Sequence, residues 1–327
     1  MERSYVSVEK VRTEYDNYRI PVLVATGEGA LVAAYECRKW ESDWAEIDLK
    51  VIRSLDGGKT FSEVLRIPGE GKTVNNPVLF ADGRRVHLLY CINYRDVFYR
   101  RSEDGGATFG EARRITEVFD RYPHTVVATG PSHGLVKDGA LLTPAWLALN
   151  PEDLKAHHPS FLTTLASPDG GETWQVGERI GDGVFDNPSE ACAALTAKGE
   201  VLLTIRNETG GGAHNLRGFA ESADGCSAWH SVGFGASMPD VICQGSMIGD
   251  GEFLYHTNCV GEGRTCLTLK RSRDRFETWN AVTVDQVGGY SDIALMDGAA
   301  YVLYEKNPHE GGLWLARIPL EEFEECK

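Results

Sequence analysis

The sequence has no long uncharged apolar run, and this absence argues against a membrane-spanning helix. The N-terminal segment 1–12 has no apolar stretch of the kind that a secretory signal contains. Basic residues are few, since 33 lysines and arginines stand against 48 acidic residues and the net charge is −15. A chain this acidic is a poor general partner for nucleic acids or anionic membranes. We therefore expect a globular protein that binds neither.

The eight cysteines lack the spacing of a zinc site, and no CxxC pair occurs. Several of them lie in apolar runs, for example Cys91 and Cys243. This pattern favours buried free thiols in a reducing compartment, with disulfides as an open alternative. Together with the missing signal it favours a cytoplasmic location, while a secreted form is left open. We expect no metal, no cofactor and a monomer.

Glycine, by contrast, is abundant, and it marks a repeated turn. The chain has 36 glycines in 327 residues, above the average of about 7%. The pattern Ser-x-Asp-x-Gly-x-Thr-(Phe/Trp) begins at Ser54, Ser102 and Ser167, and altered copies begin at Ser222 and Ser272. The aspartate accepts hydrogen bonds from turn amides, and the glycine supplies a left-handed residue. The repeat therefore predicts β-hairpin turns, which we place on the face away from any functional site.

Strand patterns flank these turns along nearly the whole chain. Apolar or alternating segments at 46–52 and 86–90 precede the first two copies, and successive copies are 48 to 65 residues apart. That period is typical of propeller blades. Five turns and a leading strand region at 18–35 predict an all-β fold, a six-bladed β-propeller of four-stranded antiparallel blades. We expect one domain over 1–327, with short helical turns only at 151–157 and 320–324.

A second, ordered set of short motifs lies between the repeats. In chain order these motifs are Arg19-Ile-Pro21, Glu36-Cys-Arg38, a loop with Asp43, Gly130-Pro-Ser-His-Gly134, Asn187-Pro-Ser-Glu190, Arg206-Asn207, Gly263-Arg264, Gly289-Tyr290 and Leu303-Tyr-Glu305. Interleaved with the aspartate turns in this order, the set resembles the exo-α-sialidases (neuraminidases) with Asp-box, or BNR, repeats. The resemblance covers almost the whole chain.

The resemblance implies a propeller that hydrolyses terminal sialic acids from sialylated glycans or sialosides with retention, and it assigns roles by position. Three arginines, one from each of three blades, would bind the substrate carboxylate through planar, bidentate hydrogen bonds: Arg19, Arg206 and Arg264. Tyr290 would be the nucleophile, because a carboxylate on the anomeric carbon repels an anionic one. Glu190 would take its phenolic proton, and Asp43 would be the general acid and then the base for water.

The supporting residues are implied in the same way. Glu305 would hold the Arg19 guanidinium, and Arg38 would lie near the substrate as a second-tier arginine. The candidates for a pocket around the 5-N-acetyl group are Asn75, Asn76, Trp40, Trp44 and Trp146. The pair His157-His158 is interpreted as a solvated loop, since no further ligand has suitable spacing for a metal.

Other readings of the same residues stay open. The arginines would recognise only a carboxylate, so a related 2-keto-3-deoxy sugar acid of the Kdn or Kdo kind is an alternative substrate. A catalytically silent propeller that binds glycans or a protein is an alternative of another class, and a transglycosylating enzyme is a further variant. A binding protein needs the arginines but not a nucleophile and its base. The presence of Tyr290, Glu190 and Asp43 together favours an enzyme.

Overall fold

A computed structural model describes residues 2–208, 216–307 and 311–325. Six small sheets are arranged in a ring as a six-bladed β-propeller, and nearly all strand pairs are antiparallel. The predicted fold class is therefore confirmed.

The strands of each blade have the following bounds. Blade 1 contains β2 (Asn17–Ala25), β3 (Leu31–Arg38), β4 (Ile47–Ser54) and β5 (Ser62–Ile67). Blade 2 contains β6 (Val74–Asp82), β7 (Arg85–Ile92), β8 (Asp96–Ser102), β9 (Arg113–Arg114) and the later β11 (Ser132–His133). Blade 3 contains β10 (Val126–Thr129), β12 (Leu135–Lys137), β13 (Ala140–Ala148), β14 (Ser160–Ser167) and β15 (Gln175–Val176).

Blade 4 contains β16 (Ala191–Leu195), β17 (Val201–Ile205), β18 (Leu216–Ser222) and β19 (His230–Pro239). Blade 5 contains β20 (Ser246–Gly249), β21 (Leu254–Cys259), β22 (Thr265–Ser272) and β23 (Asn280–Val287). Blade 6 contains β24 (Ser291–Met296), β25 (Ala299–Glu305), β26 (Leu313–Pro319) and the N-terminal β1 (Ser4–Glu9).

Two details differ from six uniform four-stranded blades. Strand β11 pairs in parallel with the inner edge of β6, and β12 pairs with β13, so blades 2 and 3 each have five strands. The ring closes through β1, which pairs antiparallel with β26 and forms the outer strand of blade 6. Because β1 and β26 come from opposite ends of the described chain, this pairing ties the first blade to the last.

Helical structure is scarce in the described residues. The helix α1 (Glu322–Glu325) confirms the turn predicted near 320–324, and a 3₁₀ helix at Thr116–Arg121 was not predicted. The helical turn predicted at 151–157 is present only as a single turn, in which the amide of Ala156 donates to the carbonyl oxygen of Asp153 at 3.0 Å, and no helix forms there. The Asn150 carboxamide oxygen accepts the amide hydrogens of Glu152 and Asp153 at its start. No helix in the described ranges is both long and apolar enough to cross a membrane.

All five aspartate turns form, including the two altered copies. In the first, the carboxylate of Asp56 accepts the hydroxyl hydrogen of Thr60 at 2.7 Å and the amide hydrogen of Thr60 at 3.0 Å, and these bonds hold the pKa of Asp56 below its usual range. In the fifth, Asp274 accepts from Thr278 in the same way, although Arg275 and Phe276 replace glycines. Both replacements adopt left-handed backbone angles, with φ of 59° and 62°. The aspartate therefore maintains the turn where glycine is missing.

The direction of the strands separates two faces of the propeller. In blade 1, β4 begins after the loop that carries Asp43 and ends at Ser54, the first residue of an aspartate turn. Strand β4 therefore has the Asp43 loop at one end and the aspartate turn at the other. Apolar side chains fill the space between neighbouring blades; Val22, Leu49 and Leu88, for example, are completely buried in one cluster.

The cysteines in the described ranges are all free thiols. Five of them are buried, whereas Cys226 and Cys266 are partly exposed. Cys326 lies outside the described residues. The expectation of free thiols is confirmed for the described part of the chain.

Candidate active site

A polar cavity of about 190 Å³ lies at the ends of the strands opposite the aspartate turns. It brings together six of the residues predicted from the sequence, namely Arg19, Asp43, Glu190, Arg206, Arg264 and Tyr290. They come from blades 1, 4, 5 and 6 and are far apart in the chain. The remaining two predicted residues, Arg38 and Glu305, are buried next to this set and do not line the cavity.

The hydroxyl of Tyr290 lies between an acceptor and a cation. It donates a hydrogen bond to Oε1 of Glu190 at 2.5 Å, and Nη1 of Arg206 donates to it at 2.7 Å. Burial raises the pKa of Tyr290 well above its usual value, although the charges of Arg206 and Arg264 oppose that shift. The phenol is therefore protonated in the free protein. Its proton points at a carboxylate that is placed to accept it.

Glu305 organises two of the cavity residues from behind. Its Oε1 accepts from Nε of Arg19 at 2.6 Å and from the backbone amide of Ile20 at 3.0 Å, and its Oε2 accepts from the backbone amide of Tyr290 at 3.1 Å. Burial favours the protonated acid, but the charges of Arg19 and Arg264 outweigh it and lower the pKa of Glu305. This buried carboxylate fixes one arginine and the backbone beside the tyrosine.

The backbone at Arg19 is irregular. The pairing of β2 with β3 shifts between Arg19 and Val22, and Ile20 has a left-handed φ of 56°. That conformation is rare for a β-branched residue and costs about 1–3 kcal/mol. The bulge ends the regular alternation of side chains and turns Arg19 towards the cavity. The hydrogen bond from the Ile20 amide to Glu305 stabilises this conformation.

Arg206 is held between two carboxylates. Nη1 lies 2.5 Å from Oε2 of Glu190, and Nε lies 2.7 Å from Oε1 of Glu208, which also accepts from the hydroxyl of Ser189 at 2.6 Å. Glu208 lines the cavity and was not predicted from the sequence. The spacing of Arg206 and Glu208 could have predicted their contact, because side chains two residues apart in extended backbone project to the same side. Glu36 and Arg38 show the same spacing and the same contact, at 2.6 Å.

Arg264 differs from the other two arginines. No carboxylate in the described ranges lies within 4 Å of its guanidinium, whereas Arg19 has one such neighbour and Arg206 has two. Its guanidinium carbon lies 5.2 Å from the ring centroid of Tyr290, and that of Arg19 lies 5.3 Å from the same ring. Two guanidiniums therefore flank the tyrosine ring, and the hydrogen-bond donors of Arg264 are available to a ligand.

Asp43 reaches the cavity from the loop between β3 and β4. Its Oδ1 accepts from Nη1 of Arg38 at 2.8 Å, and half of its side chain is exposed. Burial favours the protonated acid, but Arg38 and Arg19 together lower the pKa of Asp43. Arg38 itself is fully buried between Glu36 and Asp43. It therefore positions Asp43 in the free protein, and its contact with a substrate stays a prediction.

The residues predicted for an N-acetyl pocket separate into two groups. Asn76 and Trp146 line the cavity, whereas Asn75 is buried behind Asn76. Neither Trp40, which is 49% exposed, nor Trp44 lines this cavity.

The interpretation of His157-His158 as a solvated loop is wrong for His157. Its ring packs 4.9 Å from that of Tyr94 and 5.2 Å from that of Trp146 in the cavity wall. Burial lowers the pKa of His157. The neighbouring His158 lines the cavity from an exposed position. Aromatic packing between loops from different blades explains this arrangement, and the sequence of one loop does not reveal it.

One cluster in the described ranges has the composition of a metal site, and it lies outside the cavity. Ligand atoms of Glu200, Glu221 and His230 lie within 4.8 Å of one another. Nη1 of Arg275 already pairs with Oε2 of Glu221 at 2.8 Å. This cation opposes the binding of another one, so we assign no metal to the cluster.

A second cavity, of about 250 Å³, lies at the other ends of the innermost strands. Its lining is almost entirely apolar and includes Leu23, Ala193 and Leu295. His133 also lines it, and Nδ1 of this histidine lies 2.7 Å from Oδ1 of the buried Asp292. Asp292 also accepts the backbone amide of Leu23 at 2.9 Å, so one buried pair joins strands of blades 1, 2 and 6 near the axis.

Comparison with known proteins agrees with this fold. Residues 65–303 match the family described as BNR repeat-like domain. A sialidase of Micromonospora viridifaciens is 26% identical over 90% of this chain and 50% of its own length. Among solved structures, the Hadza microbial sialidase Hz136 superposes with a TM-score of 0.79 at 22% identity, over 94% of this chain and 66% of that one.

A Trypanosoma rangeli sialidase in complex with 2,3-difluorosialic acid, described as a covalent intermediate, superposes with a TM-score of 0.75 at 19% identity. The match covers 99% of this chain and 60% of that one. The chain thus spans about half the length of the Micromonospora relative. The match over 65–303 shows that the chain belongs to the family with the BNR repeat-like domain, and the relatives to which it is similar are sialidases.

Proposed function

We propose that this protein is a retaining exo-α-sialidase, which hydrolyses terminal sialic acid from sialylated glycans through a tyrosine nucleophile. The observation that carries the proposal is the 2.5 Å hydrogen bond from Tyr290 to Glu190 at the base of a cavity with three arginines. A sugar-binding protein needs the arginines, but it has no use for a buried phenol that faces a proton acceptor.

The substrate carboxylate binds to the three arginines. Arg264 has no carboxylate partner of its own in the described ranges. An incoming carboxylate therefore adds more favourable interaction at Arg264 than at the other two arginines. Arg19 and Arg206 are already oriented by Glu305 and Glu190. Guanidinium forks match the planar geometry of a carboxylate, and each charge-assisted hydrogen bond contributes about 1.5–3 kcal/mol. This contact fixes the anomeric carbon above the Tyr290 hydroxyl.

In the first step, the oxygen of Tyr290 attacks the anomeric carbon while its proton passes to Glu190. The bond to the leaving-group oxygen breaks, and that oxygen takes a proton from Asp43. Arg19 helps to keep Asp43 ionised in the free protein. A substrate carboxylate on Arg19 offsets that charge and covers the cavity, so binding raises the pKa of Asp43 and prepares it as an acid.

In the second step, a water molecule attacks the same carbon from the face that the leaving group vacated. Its proton passes to the Asp43 carboxylate, and the bond from carbon to the Tyr290 oxygen breaks. The phenolic oxygen recovers its proton from Glu190. Two inversions give net retention of configuration at the anomeric carbon.

The test is the release of a fluorophore from an aryl α-sialoside by the wild-type protein and by the variant Tyr290→Phe. We expect wild-type turnover and, in the variant, a loss of about 10³-fold or more, because both the nucleophile and its proton are removed. The matched control is Tyr255→Phe, whose hydroxyl binds Asp250 in another part of blade 5. Normal turnover by Tyr290→Phe would refute the assignment of the nucleophile.

A related sugar acid is the second candidate substrate. The three arginines address only the carboxylate, and a Trypanosoma rangeli sialidase has been solved in complex with 2,3-difluoro-KDN. The same assay with the aryl glycoside of the deaminated sugar separates the two. Faster turnover of that glycoside would keep the mechanism and change the sugar.

A further inference from the structure

A third cavity lies beside the catalytic one, and we call it the outer groove. Its volume is about 460 Å³, within the range of roughly 300–1,000 Å³ that is usual for small-molecule sites. It is lined by Trp44, Gly71, Thr73, Asn93, Arg95, Asp96, Thr125, Leu154 and Lys155. The lining comes from blade 1, from the β7–β8 turn of blade 2 and from the β13–β14 loop of blade 3.

The outer groove adjoins the catalytic cavity on the side of Asp43. Trp44 lines the groove and directly follows Asp43, which lines the cavity. The Trp44 ring packs 5.0 Å from that of Tyr94, so the indole forms part of the wall between the two spaces. A general acid must lie beside the oxygen that it protonates. The leaving group of a sialoside therefore departs on the side where the groove begins.

The charges in the groove favour an anion. Arg95 and Lys155 are exposed and make no ion pair within the described ranges, whereas Asp96 is neutralised by Arg114 at 2.7 Å. The ammonium of Lys155 lies 5.2 Å from the Trp44 ring centroid, which holds it near the inner end of the groove. Two cations without carboxylate partners are notable in a chain of net charge −15.

The acidic side chains next to Lys155 in the chain do not pair with its ammonium. Asp153 is the nearest in sequence to Lys155, and its Oδ1 accepts the backbone amide of Lys155 at 3.0 Å. Asp153 does not line the groove, and neither does Glu152. The exposed side chain of Leu154, by contrast, lies in the lining and offers an apolar contact.

From this arrangement we propose that the outer groove binds the sugar beyond the scissile bond, and that Arg95 and Lys155 select an aglycone that carries an acidic group. The inference rests on the proposed sialidase function. A second sialic acid and a sulfated sugar both offer the required anion. Arginine pairs with either group through two parallel hydrogen bonds, and lysine adds a point charge.

The experiment compares kcat/KM for four substrates: an aryl α-sialoside, sialyllactose, disialyllactose and a sulfated sialyllactose. We expect at least one acidic substrate to exceed sialyllactose in kcat/KM by about fivefold at low salt, because exposed charge contacts contribute little individually. The preference should shrink in 0.5 M NaCl because salt screens exposed charges. The acidic substrate that shows it identifies the source of the anion.

The double variant Arg95→Gln/Lys155→Gln should lose this preference. The matched control Arg84→Gln/Lys59→Gln removes the same charge from exposed residues beside the aspartate turns and should keep it. The groove assignment would be overturned if the wild type cleaved the aryl sialoside but did not prefer an acidic substrate over sialyllactose. It would also be overturned if the double variant kept that preference. Either result would leave the sialidase function intact. Failure to cleave all four substrates would overturn both.

Discussion

The two ends of the propeller axis contain residues of the same inner strands and have opposite chemistry. At one end, Arg19 and Tyr290 line a polar cavity of about 190 Å³; at the other, Leu23 and Leu295 line an apolar cavity of about 250 Å³. Strand β2 reaches both. Its regular part pairs Leu23 with Ala33, whereas its start is irregular between Arg19 and Val22.

The difference shows which parts of the strands supply the residues of the polar cavity. Regular pairing alternates side chains between neighbours that are already packed, so it favours small apolar residues. The bulge at Ile20 and the strand starts next to Tyr290 and Glu190 release side chains from that alternation. The residues of the polar cavity therefore lie where the blades stop being regular, and variants at the two ends should differ in their effects.

After Tyr290, the largest effect is expected at Asp43. The variant Asp43→Asn should lower kcat/KM for sialyllactose by about 10²–10⁴-fold, because a sugar oxygen needs a proton to leave. An aryl sialoside should lose far less, since a phenolate leaves without help. The control Glu46→Gln removes a carboxylate of the same loop that pairs with Lys39. Equal losses on both substrates would show that Asp43 is not the general acid.

A smaller effect is expected at Arg264. The variant Arg264→Lys should lower kcat/KM by about 10- to 100-fold, because a point charge replaces a guanidinium fork at the substrate carboxylate. This loss should appear mainly as a higher KM, with a smaller change in kcat. Steady-state kinetics beside the exposed control Arg273→Lys measure it. Unchanged constants for Arg264→Lys would remove this residue from the carboxylate site.

At the apolar end, the buried His133–Asp292 pair should affect stability. Burial opposes a charged imidazole, but Asp292 outweighs it and raises the pKa of His133 above its usual value. Breaking a buried pair costs about 3–5 kcal/mol, so His133→Gln should lower the free energy of unfolding in urea by about that much at pH 6.

The pH dependence of that loss has a definite sign. A raised pKa in the folded state gives stability that is fully present below the usual value of about 6.5 and lost as pH rises through the folded value. The difference between wild type and His133→Gln should therefore be largest near pH 5–6 and decrease at alkaline pH. A difference that grows with pH would contradict a charged His133 in the fold.

The smallest effect on activity is expected at the apolar end. The variant Leu295→Ala should lower the free energy of unfolding by about 1–2 kcal/mol, less than a fully buried leucine, because Leu295 is only partly buried. Its kcat/KM should stay within about twofold of wild type, since no reacting group lies there. A tenfold loss would mean that the apolar end takes part in the reaction.

The fold was predictable because each aspartate turn is a local structure. Asp56 and its equivalents accept amides within four residues, so the repeat carries its own geometry in the sequence. The eight site residues were predicted from the resemblance, as residues of known motifs in a fixed order. The structure brings six of the eight into one cavity, and their roles stay a prediction.

Other features depend on contacts between blades and had no local signal. His157 lies in the cavity wall because rings from the β7–β8 turn and from β13 pack against it. Glu208 contributes to the site because it pairs with the guanidinium of Arg206. The segment 151–157 forms one hydrogen-bonded turn and no helix, and the Asn150 side chain accepts two backbone amides at its start.

The central claim is that Tyr290 forms a covalent bond to the sugar. The most direct measurement is to incubate the protein with a 2,3-difluorosialic acid, digest it and locate the added mass by tandem mass spectrometry. We predict one sugar per chain on the Tyr290 side chain, and no label in Tyr290→Phe. A label on Glu190 or Asp43, or inhibition without any covalent adduct, would contradict the account.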